Sequence, residues 1–170
     1  WKRPPEEVAA IMTLLEKYLL EAIEKMEKEG IRLFIMGDMA PLSPRLRELA
    51  ELTAEISKKL EGFQVNLCLN YGGRDEIVRA VRKYAQDYKS GLVGGLDEEG
   101  FGRYLYSAGI PDPDLIIRPS GELRLSNFLI WQSAYSELYF TDVLWPDFSE
   151  AELDRAIEAY SRRERRFGGT

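Results

Sequence analysis

The stretch FQVNLCLNYGGR, residues 63–74, joins a run of strand-forming residues to a glycine-rich turn, and a helix is predicted to follow from Asp75 to Tyr88. Two other apolar runs end in turns, IRLFIMGD at residues 31–38 and DLIIRPSGE at residues 114–122. Strands that alternate with helices are joined by βαβ crossovers. The sequence therefore predicts an α/β fold with a mainly parallel central sheet surrounded by helices.

The remaining elements are predicted from apolar spacing, helix caps and turn residues. A short helix is expected near the end of the glycine-rich segment Ser90–Gly102. The other predicted elements are helices over Pro4–Gly30, Ser43–Leu60, Ser126–Tyr135 and Glu150–Arg165, and strands over Ile31–Met36, Phe63–Leu69, Asp114–Ile117 and Leu138–Phe140. No internal repeat interrupts this order, so residues 1–170 are expected to form a single domain.

Composition excludes several classes of function. Hydrophobic residues make up 45% of the chain and charged residues 31%, as in soluble globular proteins, and no run approaches the ~18 apolar residues of a membrane span. The chain has no histidine, which excludes Ser-His-Asp triads and histidine-ligated zinc within it. Any metal is therefore expected to be an oxygen-liganded ion such as Mg²⁺. Cys68 is the single cysteine, so it cannot form an internal disulfide, and a reducing compartment is expected. Cys68 itself is expected to be an inert, small apolar residue within a buried strand.

The charge is unevenly distributed. The formal net charge is −6, yet four arginines stand against one glutamate between residues 162 and 166. An acidic body is a poor surface for nucleic acid, so no nucleic-acid partner is expected. The arginine cluster suits a small anionic group, or it is only a solvated helix end.

An anion site is predicted where the third strand ends, because ligands of parallel sheets bind outside the carboxyl ends of the strands. Arg118 lies at that end, Arg124 follows six residues later, and Ser126 stands at a predicted helix N-terminus. Two guanidinium groups, a hydroxyl and helix amides could together bind a diphosphate. The alternative is that Ser126 only caps the helix while the arginines pair with Glu122 and Asp114.

Two weaker candidates lie elsewhere in the chain. The turn Asn70–Arg74 fits neither the GxGxxG nor the Walker A pattern, so its glycines are expected to let the following helix pack closely on its strand rather than to bind phosphate. Glu137, Asp142 and Asp147 could hold Mg²⁺ beside the arginines, or they are merely solvated.

Longer motifs add a family resemblance. RPSGELRLSNFLIWQ from residue 118, SELYFTDVLWPDF from residue 136 and RRERRFGG from residue 162 resemble the cis-prenyltransferases, in particular bacterial undecaprenyl diphosphate synthases. WKRP at residues 1–4 and NYGGR at residues 70–74 also match, so the likeness runs from end to end of the chain.

The resemblance implies an enzyme that adds isopentenyl diphosphate units to an allylic primer such as farnesyl diphosphate. The product would be a long polyprenyl diphosphate such as undecaprenyl diphosphate, the precursor of the cell-wall lipid carrier. It also implies a Mg²⁺-dependent homodimer in the cytoplasm, with a peripheral position at the inner membrane surface as an option and with delivery of the product to the membrane.

The resemblance also assigns roles to individual residues. It implies that the diphosphate of isopentenyl diphosphate binds to Arg118, Arg124, Leu125 and Ser126, and that Glu137 binds the metal. Trp1 and Arg3 would lie beside the allylic substrate. Arg166 and Gly168 would reach into the active site of the partner subunit.

The implied mechanism uses no nucleophilic side chain. Mg²⁺ and the cationic groups stabilise the departing diphosphate, the isopentenyl double bond attacks the allylic carbon, and a proton is lost. The growing chain needs an apolar tunnel, for which the first helix is apolar on more than one side. Ile31 and Phe63 match positions towards the tunnel floor, and Phe63 is expected to influence product length.

Some positions depart from the family pattern. The Asp-Gly-Asn motif with the family's catalytic Asp, the first strand and its phosphate loop would lie before Trp1, so this chain alone is expected to be inactive. Pro119 stands where Thr is usual, and Leu123 stands where some members have a metal-binding His. A non-catalytic partner subunit of a heteromeric cis-prenyltransferase is the alternative, whereas an unrelated nucleotide-binding module would need a glycine-rich fingerprint that the chain lacks.

Overall fold

The computed structural model describes residues 3–163. Trp1, Arg166 and Gly168, three of the residues assigned by resemblance, lie outside this range. The chain divides into two compact units, with the boundary between Tyr71 and Gly72. Within residues 3–163, no helix is both long enough and apolar enough to cross a membrane.

The first unit pairs two parallel strands with two helices. Its elements are α1 (Pro5–Glu29), β1 (Arg32–Met36), α2 (Pro44–Ser57) and β2 (Gln64–Cys68). Gly30 ends α1 in the left-handed conformation (φ 68°), and the Ser43 side chain caps α2 by accepting from the N–H of Leu46. The register runs from Arg32 opposite Gln64 to Met36 opposite Cys68. The core of this unit consists of Leu19, Met26, Leu33, Leu42, Leu46 and Leu49.

The carboxyl ends of β1 and β2 are tied together by their turns. The side-chain amide of Asn70 donates to the carbonyl of Asp38 at 2.7 Å. Gly37 has a φ of 139°, and a Cβ at this position would lie 1.9 Å from the carbonyl oxygen of Leu69. Only glycine therefore allows the two strand ends to approach this closely.

The apolar run of β2 predicts a strand that is buried on both faces, and this prediction is wrong for one face. Val65 and Leu67 are 38% and 37% exposed, and Phe63, just before the strand, is 76% exposed. Alternate residues of a strand point to opposite faces, and the half-buried face of β2 carries Gln64 and Cys68. An apolar run predicts a strand correctly, but it does not show that a second layer covers the strand.

The second unit contains the other parallel pair. Its elements are α3 (Gly73–Lys89), α4 (Glu98–Gly102), β3 (Leu115–Arg118), β4 (Glu137–Phe140), a 3₁₀ turn (Trp145–Asp147) and α5 (Glu150–Ser161). The register places Leu115 opposite Glu137 and Arg118 opposite Phe140. Phe101 packs against Trp131 with ring centroids 4.7 Å apart. Helices that flank parallel strand pairs confirm the α/β class.

The helix predicted from Ser126 to Tyr135 is wrong. The segment forms successive turns, and Ser126, Asn127 and Leu129 have φ values of 49°, 67° and 45°. A right-handed helix cannot contain residues in the left-handed region. Ser126 therefore caps no helix, and no helix amides are available beside it for an anion.

Candidate functional site

Arg118 ends β3 with part of its charged group inside the protein. The Nε atom of this half-buried side chain is buried, and it makes no hydrogen bond to any described residue. A buried donor without an acceptor is costly, by about 1–3 kcal/mol. An anionic ligand bound at this guanidinium is one way to supply the acceptor, and the anion site at the end of β3 stays a prediction.

The backbone that follows Arg118 is already hydrogen-bonded. The N–H of Ser120 donates to the carbonyl of Val143 at 2.8 Å, and the N–H of Gly121 donates to the carbonyl of Thr141 at 2.9 Å. Pro119 has no N–H to offer. An anion at this turn would therefore be bound by side chains, not by a backbone nest.

Arg124 is an exposed cation with one carboxylate partner. Its side chain is 64% exposed and forms an ion pair with Glu122. The pairing predicted as the alternative is thus present for Arg124. Because an exposed ion pair contributes only about 0–1 kcal/mol, a diphosphate can compete for the guanidinium at little cost.

Ser126 is exposed, and within residues 3–163 its hydroxyl makes no hydrogen bond. The next residue, Asn127, attaches the segment to α3. Gly73 donates its N–H to the Asn127 carbonyl at 2.7 Å, and Arg74 donates its N–H to Asn127 Oδ1 at 2.9 Å. Sequence reasoning missed Asn127, although asparagine both caps helices well and tolerates the left-handed conformation.

The two glycines of the NYGGR turn leave room for residues 127–130 to pack against the start of α3. A Cβ on Gly72 would lie 2.8 Å from Asn127 Nδ2, and a Cβ on Gly73 would lie 2.7 Å from Ile130 Cγ1. The expectation that these glycines let the helix pack on its own strand is therefore replaced, because the group that approaches them comes from residues 127–130. Asn127 also occupies the first amides of α3, which leaves this turn unsuited to bind phosphate.

Glu137 lies away from the end of β3. It pairs in register with Leu115, three residues before Arg118, a distance of about 10 Å along a strand. Its carboxylate accepts from Arg163 Nη1 at 2.5 Å, and Arg163 also donates to the Leu138 carbonyl at 3.1 Å. The structure thus brings Glu137 to the end of α5, and it does not bring Glu137 to Arg118.

The described residues do not form a complete magnesium site. No three acidic or cysteine side chains within residues 3–163 are grouped closely enough to hold a metal ion. Glu137 is paired with Arg163, and Leu123 is 77% exposed.

Arg3 lies at a second candidate site, in the first unit. It pairs with Glu7 in the first turn of α1 and borders a cavity of about 150 Å³. The other lining residues are Val8, Ile11 and Met12 on α1 and Leu69 and Asn70 after β2. An arginine at the edge of a mostly apolar cavity suits a ligand with an anionic head and an apolar chain.

Comparisons with known proteins cover almost the whole chain. The sequence model of a family described as "putative undecaprenyl diphosphate synthase" matches residues 1–168. An isoprenyl transferase of Fusobacterium nucleatum is 48% identical over 169 residues, which are 99% of this chain and 71% of that protein.

Two further similar proteins are associated with different allylic diphosphates, one by its name and one by the molecule in its crystal structure. A tritrans,polycis-undecaprenyl-diphosphate synthase (geranylgeranyl-diphosphate specific) of Thermoplasma volcanium is 45% identical over 172 residues, covering 99% of this chain and 67% of that protein. The crystal structure of lavandulyl diphosphate synthase from Lavandula x intermedia in complex with dimethylallyl diphosphate superposes with a TM-score of 0.92 at 35% identity, over 98% of this chain and 73% of that chain.

Proposed function

The chain belongs to the undecaprenyl diphosphate synthase family of prenyltransferases, and from this premise we propose that it condenses isopentenyl diphosphate with an allylic diphosphate to make a long polyprenyl diphosphate such as undecaprenyl diphosphate. The observation that carries the substrate assignment is the Nε atom of Arg118 at the end of β3, which is buried and has no hydrogen-bond partner within residues 3–163. A diphosphate would satisfy this donor and would also reach the cation and hydroxyl that follow it in the chain.

Three side chains would bind the diphosphate of isopentenyl diphosphate. Arg118 would bind it through its half-buried guanidinium. Arg124 would leave its exposed ion pair with Glu122 and bind the diphosphate instead, and the hydroxyl of Ser126 would donate a hydrogen bond to it. Leu125, half-buried between two exposed residues, anchors the segment between these contacts. Charge-assisted hydrogen bonds of this kind are the strong ones in diphosphate recognition.

The allylic substrate would lie at the Arg3 cavity. Arg3 would contact the diphosphate, and Val8, Ile11 and Met12 would contact the first part of the prenyl chain. From Leu69 at this cavity, β2 leads back to Phe63 over six residues, about 20 Å of strand. We propose that the growing chain follows this direction towards Ile31 and Phe63. Farnesyl diphosphate is our proposed primer; because similar proteins are associated with different allylic diphosphates, the assay must compare them.

In the proposed reaction the allylic carbon–oxygen bond breaks and diphosphate leaves. The double bond of isopentenyl diphosphate forms the new carbon–carbon bond, and the intermediate loses a proton to restore a double bond. The chain's own residues contribute by holding the two diphosphates and by shielding the apolar chain from water.

Three further parts of the proposal rest on family membership. They are a requirement for Mg²⁺, a homodimer in which Arg166 and Gly168 reach the partner's active site, and a cytoplasmic enzyme that delivers its product to the membrane. Activity after dialysis against a chelator, with and without added Mg²⁺, tests the first. A non-catalytic partner subunit is not favoured, because the curated relatives are named as transferases.

The test is incorporation of labelled isopentenyl diphosphate into butanol-extractable product, with farnesyl, geranylgeranyl or dimethylallyl diphosphate as primer. The assay uses the product of the complete gene beside the 170-residue chain. Arg124→Ala should raise the KM for isopentenyl diphosphate about 10-fold or more, the loss expected for one charge-assisted contact. Arg103→Ala is the matched control, since Arg103 is also exposed and paired with a single glutamate, Glu99. Equal kinetics of the two variants, made in the product of the complete gene, would refute the assignment of Arg124. No incorporation by the wild-type product of the complete gene would refute the function.

A further inference from the structure

The segment that carries Arg124 and Ser126 has no regular secondary structure of its own. Residues 119–136 form turns between β3 and β4, and Ser126 and Asn127 are both in the left-handed conformation. Such a segment keeps a fixed shape only where contacts from elsewhere determine it. The contacts that do so are therefore part of the binding site, although they touch no ligand.

The first contact is the cap that Asn127 provides to α3. Gly72, the residue before α3, has no side chain with which to cap the helix. Asn127 supplies two acceptors from a position more than 50 residues later in the chain, its carbonyl to Gly73 N–H and its Oδ1 to Arg74 N–H. One residue thus satisfies two of the amides that a helix leaves without partners.

The second contact lies on the same turn of α3. Glu76 is fully buried, and its carboxylate accepts from Gln132 Nε2 at 3.1 Å and from the N–H of Tyr106 at 2.7 Å. Gln132 Nε2 also lies 2.8 Å from Ser107 Oγ. Asn127 and Gln132 therefore attach the segment to the first turn of α3 at two points five residues apart.

We propose that Asn127 is a positioning residue for isopentenyl diphosphate, which holds Arg124 and Ser126 in place by docking their segment onto the first turn of α3. The inference rests on the proposed function, because it presumes that these two side chains bind the substrate's diphosphate. When the cap is lost, the segment samples other conformations, and the apparent affinity falls in proportion to the competent fraction. The chemical step, once both substrates are bound, is unchanged.

The variant that tests this is Asn127→Gly. Glycine keeps the left-handed backbone and the carbonyl that accepts from Gly73, and it removes only the side-chain cap. The matched control is Asp97→Gly, because Asp97 caps α4 through Gly100 N–H at 2.7 Å and belongs to the same unit. Gly72→Ala is a second route to the same effect. Gly72 has an extended φ of −152°, so alanine strains no backbone, but its Cβ displaces the Asn127 amide.

The readouts are kcat, the KM for each substrate, and calorimetric binding of isopentenyl diphosphate alone. Asn127→Gly and Gly72→Ala should each raise the KM and the dissociation constant for isopentenyl diphosphate about 5- to 10-fold, the factor expected for one lost hydrogen bond. The kcat and the KM for the allylic primer should stay within about twofold of wild type. Asp97→Gly should leave both KM values unchanged. It should lower the unfolding midpoint by about as much as Asn127→Gly does, because each variant loses one side-chain helix cap.

The outcomes separate the two claims. If the wild-type product of the complete gene neither binds nor incorporates isopentenyl diphosphate, the proposed function fails. If the wild type does both, and Asn127→Gly and Gly72→Ala behave as Asp97→Gly does, the function stands and the positioning role is refuted. A fall in kcat with unchanged KM values would also overturn it, since positioning of this substrate predicts the opposite pattern.

Discussion

Removal of the Glu76 carboxylate should destabilise the second unit more than removal of any exposed acidic group. Glu76 lies on α3 with none of its surface exposed. A carboxylate at such a site is tolerated only because its donors compensate for the lost hydration. In Glu76→Ala the N–H of Tyr106 and one N–H of the Gln132 amide lose their acceptor inside the protein.

The magnitude follows from those two donors. Each buried polar group left without a partner costs about 1–3 kcal/mol. The relief from burying a charge offsets part of this, so we expect a net loss of about 2–4 kcal/mol. That loss should lower the unfolding midpoint by about 6–12 °C for a chain of this size.

Glu76→Gln provides an internal comparison of nearly equal volume. The NH₂ group of the new glutamine at position 76 would face the NH₂ group of Gln132, so that two donors oppose each other. Rotation of the Gln132 amide by 180° would remove this conflict. Gln132 Oε1 is buried and has no hydrogen-bond partner among the described residues. After the rotation Oε1 gains a donor, and Nε2 takes the position that lacks a partner. The expected loss is therefore smaller, about 1 kcal/mol.

Urea unfolding followed by circular dichroism measures these differences. Glu158→Ala is the control, since Glu158 is exposed and, among the residues that the structure describes, its carboxylate pairs only with Arg162 at the end of α5. Such a contact contributes about 0.5 kcal/mol or less. We expect Glu76→Ala to lose the most stability, Glu76→Gln less, and Glu158→Ala the least. A Glu76→Ala variant within 0.5 kcal/mol of Glu158→Ala would show that the network contributes no net stability.

Two further substitutions separate effects on the product from effects on the fold. Phe63→Ala should lengthen the polyprenyl product by at least one isoprene unit, and it should cost little stability because Phe63 is 76% exposed. Chromatography of the dephosphorylated products measures the length, and an unchanged length would refute the role of Phe63 in setting product length. Gly37→Ala should cost about 3 kcal/mol or more, because its Cβ would overlap the Leu69 carbonyl oxygen and its φ is 139°. Gly94→Ala, where a Cβ meets nothing within 4 Å, is the control, and equal unfolding midpoints would contradict the steric argument.

Local signals predicted most of the secondary structure. The proline-containing starts of α1 and α2, the glycine end of α1 and the apolar runs of β1 and β3 all lie close to where the structure has them. These elements depend on neighbours within a few residues, which a sequence displays directly. The parallel arrangement also follows from the alternation of strands and helices, because short crossovers allow few other topologies.

The errors occur where a distant residue decides the conformation. Ser126 followed by an apolar stretch is a fair helix start by local criteria, yet the cap bonds from α3 to Asn127 fix the segment in left-handed turns. The ion pair between Glu137 and Arg163, 26 residues later, was also not predicted, whereas the assignment of Glu137 to a metal stays a prediction. Neither interaction leaves a periodic or local trace in the sequence, because each joins positions that only the fold brings together.

The residues proposed to bind the diphosphate and the residues that set their geometry are different groups. Arg124 and Ser126 are exposed, and their contacts are easily exchanged. Glu76, by contrast, is buried, and Gly73 admits no added atom without displacing Ile130. A change at the first group should therefore alter substrate binding with little effect on folding, whereas a change at the second should alter both. In our proposal the affinity for isopentenyl diphosphate thus depends strongly on the first turn of α3, although this turn contacts no substrate.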